Sequence, residues 1–192
     1  MNSREKILST VLAHQPSLSP LPVTDIPSDT KHDVLEKFKT MLVSIGGAIV
    51  ETDNIDAIKE FVNRNFTTAR RVISLVPGMF TAPLPADPHA LEDVDVAILP
   101  GQFGVAENGA IWITDSAMGD RALPFICQHL VLVINRNDIV HNLHEAYQTI
   151  GSTHYDYGTF IAGPSKTADI EQSLVLGAHG PKGLVVVLVN RP

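Results

Sequence analysis

The stretch Val94-Asp-Val-Ala-Ile-Leu-Pro-Gly101 decides how this chain folds. Its apolar run is too short for a buried helix and is stopped by Pro100-Gly101, so it reads as a β-strand over Val94–Leu99. A strand that is apolar on both faces belongs where both faces are covered, as in a parallel sheet. Upstream, Arg71 to Val76 has the same character, and downstream so does Leu184 to Val189. The strands of this chain are therefore expected in the middle of a layered structure.

Between and before them lie helical patterns. Val34, Leu35, Phe38, Leu42 and Ile45 recur on one helical face, and Gly46-Gly47 ends that helix. Ala48-Ile-Val50 is a short strand, after which Asp53 or Asn54 caps a helix running through Phe66, with Ile55, Ile58, Phe61 and Val62 inward. Residues 77–93 are rich in Pro, Gly and Asp and read as a loop. Strands at Ala110–Thr114, Leu130–Ile134, Gly158–Ala162 and Leu184–Val189 follow, with a helix over Asp138–Ile150. This alternation predicts an α/β fold with a mixed, mostly parallel sheet covered by helices on both faces.

The N-terminal segment is different. Residues 3–14 form an amphipathic helix with Ser3 as candidate cap, and residues 15–30 carry Pro16, Pro20, Pro22 and Pro27, which no helix tolerates. Residues 1–30 are thus expected to be an arm on a connector, and residues 31–192 one domain.

Composition removes several functions. The 192 residues carry 14 Lys and Arg against 21 Asp and Glu, a net charge of −7, with only 6% aromatic residues. Such a chain lacks the positive field that nucleic-acid binding requires. No apolar run approaches the roughly 20 residues of a membrane span, and no secretory signal is evident, so the reading is a soluble cytoplasmic protein without membrane insertion. The single cysteine, Cys127, can neither close an intrachain disulfide nor alone hold an iron–sulfur cluster.

Three glycine-rich segments hold the candidate chemistry. In Gly101–Gly109, Glu107 stands just before Asn108-Gly109 and is either a nucleophile or general base, or the rim of an Asn-Gly hairpin turn. In Gly163-Pro-Ser-Lys-Thr-Ala-Asp-Ile-Glu171, Ser165, Lys166, Thr167 and Asp169 make either an anion-binding nest or an ordinary helix N-terminus. Gly177–Gly183 carries His179. His141 and His144 lie three apart, but no ligand set for a metal is complete around them. Cys127 and His129 form a thiol–base pair only if Cys127 is not simply a buried hydrophobe.

Taken together, Gly104-Val-Ala-Glu-Asn-Gly109, Arg121-Ala-Leu-Pro124 with His129 beyond it, Gly163–Glu171 and Gly177-Ala-His-Gly-Pro181 resemble the LUD domain family, and within it the lactate utilisation C group. The resemblance runs from about residue 30 to the C-terminus. It implies a sugar-phosphate isomerase/CoA-transferase-like fold and a part in oxidising L-lactate to pyruvate. The iron–sulfur clusters would sit on partner proteins, and this chain would carry no cofactor of its own. Where the family usually shows Ala-Glu-Thr-Gly, this chain has Ala-Glu-Asn-Gly, nearer the Ser-Glu-Asn-Gly of class I CoA transferases, whose Glu is the nucleophile. The alternative is accordingly an independent CoA-transferase- or isomerase-type enzyme using Glu107.

Loops at the strand ends of an α/β sheet gather at one edge. The expected site therefore joins Glu107 and Asp169 as catalytic groups. Gly104, Asn108, Arg121, Ser165, Lys166, Thr167 and His179 would surround a small anionic ligand.

Overall fold

The computed structural model describes residues 2–20, 33–52, 54–79, 83–168 and 174–190. Helix α1 (Ser3–Ala13) is capped by Asn2 rather than Ser3: the Asn2 side chain accepts the Glu5 amide at 2.9 Å and Glu5 returns the bond to the Asn2 amide at 3.0 Å. None of its residues is buried, and Ile7 and Leu12 are more than 60% exposed. The expected connector falls largely outside the described residues.

Helix α2 (Val34–Ser44) starts at Asp33, whose carboxylate accepts the Leu35 amide, and buries Phe38 and Leu42 completely. Strand β1 (Ala48–Glu51) follows. Helix α3 (Ile55–Asn65) is capped by Asn54, with Ile58 and Val62 inward; the other candidate cap, Asp53, lies outside the described residues. Strands β2 (Val72–Ser74), β3 (Val96–Pro100), β6 (His129–Asn135) and β11 (Gly183–Val189) then complete a five-stranded, wholly parallel sheet in the order β1-β11-β6-β3-β2.

The side-chain period of two sorts this sheet into two cores. Leu130, Leu132 and Ile134 of β6, with Leu184, Val186 and Leu188 of β11, join Phe38 and Leu42 on one face. Val131, Val133, Val185, Val187 and Val189 join Ile58 and Val62 of α3 on the other. Truncating a fully buried leucine such as Leu132 to alanine costs about 2–5 kcal/mol.

Beside α2, the first face also carries a second sheet. Strands β4 (Phe103–Val105) and β5 (Ala110–Thr114) form a hairpin. To it are added β7 (Ile139–Val140), parallel to β4, and β8 (Gly158–Ile161), antiparallel to β5. Ile111 and Ile113 of β5 face the parallel sheet, while Phe103, Val105 and Trp112 turn outward to Ala146 and Ile150 of α6 (Leu143–Ile150). The layers thus run α3, parallel sheet, mixed sheet, α6. Short helices α4 (Asp115–Met118) and α5 (Leu123–Ile126) link β5 to β6, and a small hairpin of β9 (Lys166–Ala168) and β10 (Leu174–Leu176) precedes β11.

Two expectations are corrected here. The helix anticipated over Asp138–Ile150 is a strand followed by a shorter helix. The β-branched pair Ile139-Val140 joins β4, and Asn142 caps α6 by accepting the Glu145 amide. Lys166–Ala168 is neither a helix N-terminus nor a nest, because its backbone pairs with β10.

Candidate functional site

The parallel sheet directs its carboxyl ends toward one edge, where open α/β sheets bind ligands. Beyond the ends of β3 and β6 lies a cleft made of two adjoining hollows of about 440 and 530 Å³. Gln102, two residues past β3, and Thr114, at the end of β5, line both. Gln102 donates from Nε2 to Thr114 Oγ1 at 2.7 Å, and that hydroxyl lies 2.9 Å from Ser116 Oγ. Thr114 is 5% exposed, so this short polar chain is built into the wall.

The first hollow is mostly apolar, with Phe103, Trp112, Ile139 and Ile150 on its sides and Asn137 and Asp138 at its rim. Trp112 packs tilted on Phe160 at 4.7 Å and edge-on to Tyr155 at 5.5 Å. The second hollow is polar and holds Asp115, Ser116, Arg121, His154 and Asp156. Arg121 donates to Asp115 at 3.3 Å and places its guanidinium 5.3 Å from the centre of the Tyr157 ring.

A smaller cavity of about 280 Å³ lies at the opposite, amino edge, against Leu130 and Leu184 near the starts of β6 and β11. Ser165, Lys166 and His179 line it together with Phe125. The Ser165 amide donates to Pro181 O at 2.8 Å and the Gly177 amide to Ser165 O at 3.1 Å. The Ser165 amide is therefore not free to hold an anion. Thr167 pairs across the hairpin with Val175, and Asp169 lies outside the described residues. Gly177–Gly183 joins β10 of the small hairpin to the start of β11, which is why His179 sits at the amino edge of the parallel sheet and not at the carboxyl one.

Glu107 lines neither the cleft nor this cavity. It is exposed in the β4–β5 turn and accepts the Leu143 amide at 2.9 Å. Asn108 accepts the Ala110 amide within the same turn. A Cβ on Gly104 would stand 2.8 Å from the Phe38 ring, so that glycine gives α2 room to pack. The candidates therefore separate into three places: Glu107 and Asn108 in the turn, Arg121 in the cleft, and Ser165, Lys166 and His179 at the amino edge.

The remaining candidates are structural in their surroundings. Cys127 is buried, and burial pushes its thiol up to about 12, which keeps it protonated and inert at neutral pH. His129 is half-buried 5.0 Å from the Phe66 ring. Its pKa is lowered by burial and by the nearby charge of Lys182, with Asp95 acting in the opposite direction. His141 faces Glu145 at 3.0 Å, and among the described residues no three His, Cys, Asp or Glu side chains gather as a metal site would need. No helix among them is long and apolar enough to cross a membrane.

The cleft was not legible in the sequence. Gln102, Thr114 and Tyr155 carry no motif; of the sequence candidates Arg121 alone lines it, and Gln102 stands just past a strand end.

The LUD domain profile matches residues 88–189, from the entry into β3 through the last strand. The chain belongs to the LUD domain family. A lactate utilization protein C from Deinococcus radiodurans is 28% identical over 186 residues, covering 88% of this chain and 86% of that protein. Its namesake from Bacillus subtilis strain 168 is 25% identical over 210 residues, covering 93% and 85%. The protein of the same name from Anoxybacillus flavithermus is 31% identical over 105 residues, a match spanning 48% of its length. The crystal structure of a DUF162 family protein from Deinococcus radiodurans superposes with a TM-score of 0.62 at 21% identity, over 81% of this chain and 96% of that one. The layered α/β fold of this LUD domain is thus shared with a solved structure.

Proposed function

We propose that this LUD domain protein is the non-redox subunit of a system that oxidises L-lactate to pyruvate, with iron–sulfur proteins as partners. The carrying observation is the similarity to proteins named lactate utilization protein C over most of both chains. The side chains agree with a subunit that does not itself relay electrons. A cluster needs several thiolates. This chain has one cysteine, buried with its thiol toward the Pro124 carbonyl and held protonated. The two electrons released per lactate pass to clusters on the partner chains. Lys166 and His179 at the amino-edge cavity offer a cation and a ring nitrogen to a small carboxylate.

The test is affinity purification of the full chain from its native host grown on L-lactate. Iron–sulfur proteins should co-purify, and deleting the gene should abolish growth on L-lactate but not on pyruvate. Normal growth of the deletion strain on L-lactate overturns the proposal.

A further inference from the structure

We propose that the carboxyl-edge cleft binds an uncharged planar heterocycle carrying a polyhydroxylated arm, the chemistry shared by nucleosides and riboflavin. The inference goes beyond any part in lactate oxidation and rests on the two unlike halves of the cleft.

The first half selects a flat ring. Trp112, Phe103 and Ile139 enclose a mainly apolar hollow, and Tyr155 stands edge-on to Trp112 at its mouth. Such walls desolvate a planar ring and contact its face. Asn137 and Asp138 at the rim supply hydrogen-bond partners for ring nitrogens and exocyclic groups.

The second half selects hydroxyls over a phosphate. It opens from the first without a break, since Gln102, Thr114, Thr153 and Tyr155 line both. Gln102 spends one of its two amide N–H donors on Thr114, and its side-chain oxygen is an acceptor. Asp115 adds a carboxylate and Ser116 a hydroxyl. The charge balance is acidic: Asp115, Asp138 and Asp156 border the cleft, against Arg121 and His154. Arg121 and Asp115 pair with each other, and with that pair set aside Asp138 and Asp156 still outweigh His154. A phosphate would meet more negative charge than positive, whereas sugar or ribityl hydroxyls donate directly to these acceptors.

Trp112 is the only tryptophan in the chain and lines the cleft, so its fluorescence responds to a ligand bound there. The full chain is titrated separately with adenosine and riboflavin, with adenine and lumichrome as bare rings, and with AMP and FMN as phosphorylated counterparts. A saturable change in Trp112 emission with adenosine alone assigns nucleosides, with riboflavin alone flavins, and with both the shared class. Tyr155→Ala should weaken the binding about tenfold and Tyr155→Phe should retain it. Asp115→Asn should weaken the hydroxylated probes about fivefold while leaving the bare rings unchanged, a split that a merely structural effect would not produce. Tyr155 is 38% exposed on a loop, so its truncation leaves the core intact. The proposal is overturned if neither hydroxylated probe gives a saturable response. It is equally overturned if Tyr155→Ala and Asp115→Asn bind as the parent does, or if AMP or FMN binds more tightly than its unphosphorylated form.

Discussion

The carboxylate of Glu107 accepts the backbone amide of Leu143, 36 positions later in the chain. Leu143 is the first residue of α6, so an acidic group meets an unpaired amide at the positive end of a helix. The bond ties the β4–β5 turn to the helix that covers the outer face of the mixed sheet. Glu107→Ala should lower stability by about 1 kcal/mol in urea unfolding. Glu107→Gln, which keeps an acceptor oxygen, should lose less.

Gly109 closes the same turn with a φ of +69°, and a Cβ there would stand 2.9 Å from the Leu42 amide nitrogen. Gly109→Ala therefore combines left-handed strain with a backbone clash and should cost more than about 2 kcal/mol. Gly78, at φ +80°, has among the described residues only the tip of Ile55 nearby, at 3.7 Å. Gly78→Ala should carry the strain alone, about 1 kcal/mol, and the difference between the two denaturation midpoints isolates the clash.

Cys127 should resist alkylation in the folded protein at neutral pH, because its protonated thiol is buried within the first core. Mass spectrometry after iodoacetamide should show modification only once denaturant is added. Rapid native labelling would contradict the burial.

His129 links stability to pH. Its folded pKa lies below the ordinary value, chiefly because burial disfavours the charged ring. In the unfolded chain it titrates near about 6.5. Between the folded and unfolded values the unfolded chain binds more protons, so this contribution is fully present above the unfolded value, is lost as pH falls through the window, and levels off below the folded value. Urea midpoints measured across this range should show that slope, and His129→Gln should flatten it.

Removing residues 2–20 should leave the melting temperature essentially unchanged, since α1 buries none of its residues. A fall of several degrees would show that α1 supports the domain.

Where the sequence spoke clearly, hydrophobic pattern carried the message. The runs at Val94–Leu99 and Leu184–Val189 could only be buried strands, and Phe38 and Leu42 marked the inward face of α2. Ile139-Val140 was misleading because two apolar residues fit a helix as readily as a strand, and only pairing with β4 decided between them. The site was harder to read. Glycine richness at 101–109, 163–171 and 177–183 marks tight turns, and a turn can lie at either end of a strand. Gly177–Gly183 precedes β11, which took His179 away from the carboxyl edge. Arg121 reached the cleft because α4 carries the chain there from the end of β5, whereas Trp112 and Tyr155 meet only through long-range packing.

Strand β11 occupies the second place in the sheet, between β1 and β6, although it is the last strand described. Among the described strands β1 pairs with β11 alone. A ribosome therefore releases α2, β1 and α3 long before the strand that anchors β1 has been made. During synthesis β2, β3 and β6 can associate, but one flank of β6 and the whole pairing edge of β1 stay open until residues 183–189 emerge. The growing chain thus shows two unpaired apolar edges to its surroundings, and the folding barrier includes closing a loop of more than a hundred residues. The sheet cannot be completed before the last described strand is made.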